Sequence, residues 1–132
     1  MRNMSRRNKW YLSNRRRRYV RSFCEQYGFY KAEYESLEDT SKAITLTDMP
    51  HGTTPGDPTQ MAAFRRAELS EKVSLIEDLV REVAPEIEKW LLFGVTQGVS
   101  YKWMHDIHHI PCGKNYYYSK EHEFFYKLSM KI

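Results

Sequence analysis

Residues 98–118 read GVSYKWMHDIHHIPCGKNYYY, and this stretch decides the architecture of the C-terminal part of the chain. Ser100 is a favourable N-cap for a short helix, and Pro111 follows as a break because a proline has no backbone N–H to donate. A second helix is predicted to begin at Lys114. Two helices joined by so brief a turn are typical of a helix-turn-helix, which we place at about residues 99–129.

Two further helices are predicted upstream of this motif. Pro58, preceded by Asp57 as N-cap, begins a helix of about 26 residues with a broad apolar stripe. Pro85 opens the next helix, which is apolar on more than one side and which we expect to be the most buried element, and Gly98 ends it. The stripe on the long helix extends further than a small body needs, so a homodimer is one expectation.

The positive charge of the chain is concentrated at its N-terminus. Nine arginines and lysines and no acid occur among the first 21 residues, whereas the remaining 111 residues hold 12 basic and 17 acidic side chains. Apolar residues between Leu12 and Leu37 follow a helical spacing, and Gly28 marks either a weak point in one helix or the boundary between two.

The predicted fold class is therefore all-α, in three parts. Residues 1–40 form a basic, aromatic helical arm, and residues 58–132 form a helical body that ends in the helix-turn-helix. Between them, residues 41–57 are rich in threonine, proline and glycine and predict a flexible linker.

The cysteines and the hydropathy pattern restrict the cellular context. Cys24 and Cys112 lie far apart and neither belongs to a CxxC pair, which excludes a disulfide framework and predicts a reducing compartment. No apolar run approaches the roughly 18 residues that a spanning helix needs, and no hydrophobic signal core follows the basic N-terminus. We expect a soluble, cytoplasmic protein without a membrane partner.

Metal binding and catalysis are not predicted. His105, His108, His109 and Cys112 are potential zinc ligands in one short segment, but no second cysteine or carboxylate stands at a convincing zinc spacing. The chain also lacks a nucleophile motif, a glycine-rich phosphate loop and a paired-carboxylate signature. We therefore predict no metal, no cofactor and no enzymatic activity.

The basic N-terminus predicts a polyanionic partner. A block of like charge stays solvated unless a partner neutralises it, and the phosphate backbone of nucleic acid repeats negative charge at short spacing. Trp10, Tyr11 and Tyr19 interleave with the arginines. A basic tail that served only solubility would not need these large rings, so they count against that simpler interpretation. Double-stranded DNA is the first expectation. The run Arg15–Arg18 is also similar to arginine-rich segments that fold on structured RNA, so RNA is the alternative.

A set of C-terminal residues carries a family resemblance: Gly98-Val99-Ser100, Trp103, Ile107, Ile110-Pro111-Cys112-Gly113 and Tyr116-Tyr117-Tyr118. This set resembles region 4 of sigma factors as reused in phage regulators of the RinA and ArpU type. The resemblance covers about residues 57–129. It implies a transcriptional regulator of a phage or prophage that binds promoter DNA in the cytoplasm of a bacterial host.

Charge, position and the resemblance together give the candidate nucleic-acid-binding residues. The arginines are expected to hold phosphates, while the first turn of the last helix reaches base edges, where lysine can donate to guanine and asparagine can pair with adenine. Of the three consecutive tyrosines, one is expected to pack inward and another to touch DNA. The candidates are Arg6, Arg7, Arg15, Arg16, Arg17, Arg18, Arg21, Lys114, Asn115, Tyr117, Tyr118 and Lys120.

Two other functions stay open. A phage anti-defence protein would use the basic arm to occupy a nucleic-acid channel in a host nucleoprotein complex, so that a host protein would be the partner. A recognition subunit for DNA packaging would use the same helix-turn-helix within a ring.

Overall fold

A computed structural model describes residues 6–45 and 58–132, and within these ranges the chain is helical without strands. The prediction of an all-α fold is confirmed. The elements are α1 (Asn14–Glu25), α2 (Tyr27–Thr45), α3 (Pro58–Val83), a short 3-10 turn (Pro85–Ile87), α4 (Glu88–Gln97), α5 (Tyr101–His108) and α6 (Lys114–Ser129).

The helix ends follow the capping chemistry of the sequence. The Ser13 hydroxyl accepts a hydrogen bond from the backbone N–H of Arg16 at 3.2 Å, and the Ser100 hydroxyl does the same for Trp103 at 3.2 Å. After α4, Gly98 adopts the left-handed conformation with φ of 69°, in which a glycine avoids the strain that a Cβ would bring. Each cap satisfies a backbone group that the helix leaves free, so the corresponding helix ends were predictable.

The chain forms two compact units, divided after Gln26 and after Leu75. Unit 1 contains α1, the end of α3, and α4 to α6, whereas unit 2 contains α2 and the larger part of α3. The break at Gln26 gives two consecutive helices rather than one. It also differs from the predicted division, because α1 packs against α4 and α6 instead of forming a separate arm with α2.

Of the predicted linker at 41–57, residues 41–45 belong to the end of α2. Residues 46–57, which include the predicted N-cap Asp57, lie outside the described residues. Pro58 is the first residue of α3, as the sequence predicted, and the missing N–H of a proline costs nothing at that position.

Unit 1 has a core built around α6. Its three largest fully buried side chains, Tyr117, Phe124 and Phe125, all lie on this helix. Burying such a side chain contributes about 1.5–3 kcal/mol, so α6 supplies much of the hydrophobic stabilisation of the unit. The other buried apolar residues of the unit lie on every helix and on the connections between them: Val20, Cys24, Ile76, Leu79, Val80, Val83, Ala84, Ile87, Leu91, Val95, Met104, Ile110 and Leu128.

The helices α1 and α6 run antiparallel, and arginines on α1 fix their register. The Arg16 guanidinium donates to the Ser129 hydroxyl at 2.8 Å, to the Ser129 carbonyl at 2.6 Å and to the Ile132 carbonyl at 3.2 Å. Farther along α1, Arg21 donates to the Glu121 carboxylate at 3.4 Å. Arg16 therefore serves as a cationic cap for the carbonyls that the C-terminus of α6 leaves unpaired.

Unit 2 holds α2 against α3 through polar contacts at the surface. Arg65 forms a two-pronged ion pair with the carboxylate of Glu33, at 3.0 and 3.2 Å, and Arg66 donates to the Tyr34 hydroxyl at 3.1 Å. The hydrogen bond from Arg65 lowers the pKa of Glu33. A planar guanidinium matches a carboxylate in this geometry, which specifies how the two helices pair.

Candidate nucleic-acid interface

The arginine run of α1 is divided between two faces of the helix. Arg17 lies on the same face as the buried Val20 and Cys24, at the i, i+3, i+7 spacing of one helical stripe, and is itself only 9 % exposed. Arg15 and Arg18 lie on the opposite face and are exposed. Only two of the four consecutive arginines therefore point to solvent, because Arg16 contacts α6 and Arg17 is buried.

Three of the predicted phosphate-binding arginines are engaged within unit 1. Arg17 is a correction to the prediction: burial removes it from any phosphate and lowers its pKa, although Glu121 partly offsets that effect. Arg16 is held by the C-terminal carbonyls of α6, and Arg21 by the carboxylate of Glu121. The exposed face of α1 keeps Arg15 and Arg18, which form no hydrogen bond or ion pair with the part of the chain described here.

A buried polar cluster lies behind that face. Glu121, on α6, is buried, and burial raises its pKa despite the nearby charges of Arg21 and Arg17 and the hydroxyl of Tyr117. Burial and the same carboxylate raise the pKa of Tyr117, and burial lowers the pKa of His122. Removing one member of such a cluster leaves an uncompensated buried charge. The arginines thus have a structural role that their number in the sequence did not reveal.

The turn between α5 and α6 presents the first turn of α6 to solvent. His109 ends α5 in the left-handed conformation with φ of 53°, and Ile110 is buried directly after it. The Tyr101 hydroxyl donates to the carbonyl of Cys112 at 2.7 Å, which ties the start of α5 to the end of the turn. Lys114 and Asn115 follow, both exposed and neither bonded to another described residue. Their side chains are therefore accessible to a ligand.

The three consecutive tyrosines have different environments. Tyr117 is fully buried, so its predicted contact with a base edge is corrected: the side chain packs under Gly94 and cannot reach a ligand. Tyr118 is half-buried, with its ring 6.4 Å from that of Tyr101. Tyr116, which the predicted site omitted, is the most exposed of the three at 40 %.

Helical spacing could have made this distinction. Tyr117, Glu121, Phe124 and Leu128 recur at i, i+4, i+7 and i+11 and are all buried. A tyrosine one position before that stripe has to face outward. The spacing therefore pointed to Tyr117 as the buried tyrosine. Glu121 hid this pattern, because a glutamate is not expected in a buried stripe.

Lys120 is less free than the sequence suggested. Its ammonium group lies 5.5 Å from the centre of the Tyr116 ring and 3.8 Å from the carboxylate of Glu123. Both contacts are on the surface and weak, so the lysine can exchange them for a phosphate.

Residues before α1 contribute further cations. Arg6 and Arg7 are exposed. The ring of Trp10 packs 5.5 Å from that of Tyr126 on α6, and the ammonium group of Lys9 lies 4.7 Å from the indole centre. These contacts place Lys9 near the C-terminal half of α6.

Candidate nucleic-acid-binding residues lie near both ends of α6. Arg16 is bonded to Ser129 at one end, so its neighbour Arg15 lies there too, whereas Lys114 and Asn115 are at the other end. Along the helix axis the two ends are about 22 Å apart, at 1.5 Å per residue. Because α1 packs directly on α6, this separation is fixed within the unit.

The described residues form neither a metal-ligand cluster nor a membrane-spanning helix. His105 contacts the adjacent Asp106 at 3.1 Å, and no group of three potential metal ligands comes together in residues 6–45 and 58–132. None of the helices in those ranges is both long and apolar enough to cross a bilayer. No family model matches the chain, and no curated protein or solved structure matches it either.

Proposed function

We propose that this chain is a DNA-binding transcriptional regulator of a phage or prophage, in which α5 and α6 act as a helix-turn-helix. One observation carries the proposal: the accessible Lys114 and Asn115 at the start of α6 belong to the same compact unit as the cationic outer face of α1. The link to transcription and to phage rests on the resemblance of residues 57–129 to RinA- and ArpU-type regulators.

The spacing of these groups matches duplex DNA. The major groove of B-DNA is about 12 Å wide, so a helix whose first turn lies at the base edges extends past the groove wall. Cations about 22 Å away along that helix then lie beside the flanking phosphates. In this arrangement Arg15 and Arg18 hold the backbone, and the fixed packing of α1 on α6 sets their register relative to the bases.

The division of labour follows from the side chains. Lys114 can donate to a guanine, and Asn115 can form two hydrogen bonds with an adenine. Arg6, Arg7, Arg15 and Arg18 contact phosphates, which contributes affinity without selecting a sequence. The partly exposed Tyr116 and Tyr118 flank the base-reading turn.

The first test asks whether Arg15 and Arg18 bind DNA because of where they lie or only because they add positive charge. We expect Arg15→Ala/Arg18→Ala to weaken binding to all duplexes and to lower the slope of log K against log salt by about 1.8, at about 0.9 for each phosphate contact. The variant Arg65→Ala/Arg81→Ala is the matched control, because it removes two surface cations that already have acidic partners. Fluorescence anisotropy on random duplex, single-stranded DNA and RNA over a range of salt concentrations measures both slopes.

The difference in salt slope also predicts how the ratio of the two affinities changes with salt concentration. Between about 50 and about 200 mM salt, a slope difference of 1.8 narrows the affinity gap between wild type and the arginine variant about 12-fold. Equal slopes for the test and control variants would refute the assignment of Arg15 and Arg18. Tighter binding to RNA than to duplex DNA would favour the RNA alternative instead.

The second test addresses sequence selection. We expect Asn115→Ala to alter the preferred sequence in a selection from random duplexes and to leave the salt slope unchanged, because asparagine carries no charge. The control is Ser119→Ala, an exposed position one turn farther along α6. An unchanged preferred sequence in Asn115→Ala would contradict base recognition by the first turn.

A further inference from the structure

A groove lies between α4 and α5, and none of its lining residues is among those proposed to contact DNA. It encloses about 270 Å³ and is lined by Lys89, Trp90, Phe93, Met104 and His108. Ligand pockets for whole small molecules start at about 300 Å³, so this groove accommodates one large side chain rather than a complete cofactor.

The rim of the groove exposes an aromatic stack. Phe93 on α4 and Trp103 on α5 lie with ring centres 5.7 Å apart and planes 26° from parallel, and each is 39 % exposed. The His108 ring lies 4.8 Å from Trp103 and 6.0 Å from Phe93. One turn beyond Trp103, Ile107 is 57 % exposed and extends the apolar surface along α5. A contiguous apolar surface of this kind marks an interaction site more often than an isolated exposed residue does.

Among the residues that line the groove, Lys89 is cationic and none is acidic. The Lys89 ammonium lies 4.4 Å from the centre of the Trp90 ring, and Lys89 and His108 are the titratable residues in the lining. No carboxylate lines the groove. The nearest acid along α4, Glu88, is paired with Arg81 at 3.1 Å. The groove is thus electrostatically complementary to an apolar anchor that has a carboxylate next to it.

We propose that this groove binds an acidic peptide segment of a partner protein, with one aromatic or branched aliphatic side chain inserted beside Phe93 and a carboxylate paired with Lys89. Aromatic residues that form a small pocket beneath an exposed rim are typical of the hot spots of protein interfaces. The site would allow the chain to contact a second protein through α4 and α5 while α1 and α6 stay free.

Two observations favour a peptide over a strand of nucleic acid. Binding of a single strand requires a track of cations along the backbone, whereas the lining provides one lysine and one histidine. The exposed surface also continues over the aliphatic Ile107, which offers no ring on which a base can stack.

The three tryptophans provide an internal control for the test. Trp90 and Trp103 lie at the groove, and Trp10 packs against Tyr126 on α6. A capped dodecapeptide with one central phenylalanine flanked by glutamates is titrated into the ¹⁵N-labelled full chain. We expect the indole N–H signals of Trp90 and Trp103 to shift and that of Trp10 to stay in place. Replacing the peptide's phenylalanine with alanine should abolish the shifts.

Variants of the protein then test the two halves of the site. We expect Trp103→Ala to weaken peptide binding about 30-fold, which corresponds to a hot-spot loss of about 2 kcal/mol. Lys89→Glu, an exposed position, should weaken binding about 10-fold and should restore binding of a peptide whose glutamates are replaced by lysines. Lys89→Glu, on α4 and outside the proposed helix-turn-helix, should select the same preferred DNA sequence as the wild type, so that this proposal and the proposed function fail independently.

Three results would overturn the proposal. The first is a failure of the peptide to shift Trp90 and Trp103 at millimolar concentration. The second is an equal affinity of Lys89→Glu for the acidic and the basic peptide. The third is a stronger shift of the same two signals by oligothymidylate than by the peptide, which would identify the groove as a site for unpaired bases.

Discussion

Gly94 and Tyr117 form a contact whose disruption makes a quantitative prediction. Gly94 lies within α4, and a Cβ at that position would overlap the hydroxyl of the fully buried Tyr117 and lie 3.3 Å from the terminal methyl of Met104. In an unconstrained helix, alanine is favoured over glycine by about 1 kcal/mol. Overpacking a rigid core costs about 1–3 kcal/mol. Because the ring of Tyr117 has no solvent-facing side toward which to move, we expect Gly94→Ala to lower the free energy of unfolding by about 2 kcal/mol.

A second substitution tests the cause. Tyr117→Phe removes the hydroxyl that the new methyl group would overlap, so the double variant Gly94→Ala/Tyr117→Phe should recover the helix-propensity gain. We expect a favourable coupling energy of about 2–3 kcal/mol in the double-mutant cycle. Gly28→Ala is the control for the sign of the propensity effect, because no atom lies within 4 Å of a Cβ built there.

Urea denaturation followed by far-ultraviolet circular dichroism measures the four proteins of the cycle. A Gly94→Ala variant at least as stable as the wild type would refute the argument. So would additive effects of the two substitutions, since they would show that the methyl group and the hydroxyl do not meet.

Three further predictions follow from contacts in unit 1. Arg16→Ala removes three hydrogen bonds to the C-terminal end of α6 and should speed amide exchange in its last turn, whereas Arg15→Ala should leave exchange unchanged. Burial raises the pKa of Cys24 to about 12, so a disulfide reagent at mildly alkaline pH should label Cys112 in the native protein and Cys24 only after unfolding; rapid labelling of both would contradict the burial. Burial also raises the pKa of Glu121, so the stabilising contribution of this residue is present at acidic pH and is lost as the pH rises through the native pKa. Relative to Glu121→Gln, the wild type should therefore lose stability between acidic and neutral pH. The opposite trend would mean that attraction to the arginines outweighs burial.

Local features of the sequence predicted the helix ends of unit 1. Ser13, Gly98 and Ser100 act through hydrogen bonds or backbone angles within a few residues of themselves, so their roles do not depend on distant parts of the chain. The same holds for Pro58 at the start of α3.

The direction in which the cations point was not predictable from their number. Arg17 shares a stripe with Val20 and Cys24, yet its burial depends on Glu121, which is more than 100 residues away in the chain. A periodicity argument assigns charged residues to the solvent side and fails where a charged residue in one helix meets an opposite charge in another. The predicted arm was therefore assigned to solvent although its inner face completes the core of unit 1.

The turn before α6 was predictable in part. The turn before α6 and the exposure of Lys114 and Asn115 follow from Pro111 and Gly113, which are local signals. Which tyrosine faces inward depends on Gly94 of α4, which leaves room for one hydroxyl and no more. The helical stripe of α6 already favoured Tyr117, although Glu121 within that stripe hid the pattern, and the space beneath Gly94 explains how the hydroxyl fits.

The bond from Arg16 to Ser129 joins positions 113 residues apart, with the whole of unit 2 encoded between them. At about 5–20 residues per second, a ribosome needs roughly 6–23 s to travel that interval. Throughout this time the nascent α1 lacks a complete α6, whereas the whole of unit 2 is translated before α6 begins. Unit 2 can therefore fold first. Until α6 is complete and packs against it, α1 stays accessible to chaperones, proteases and polyanions.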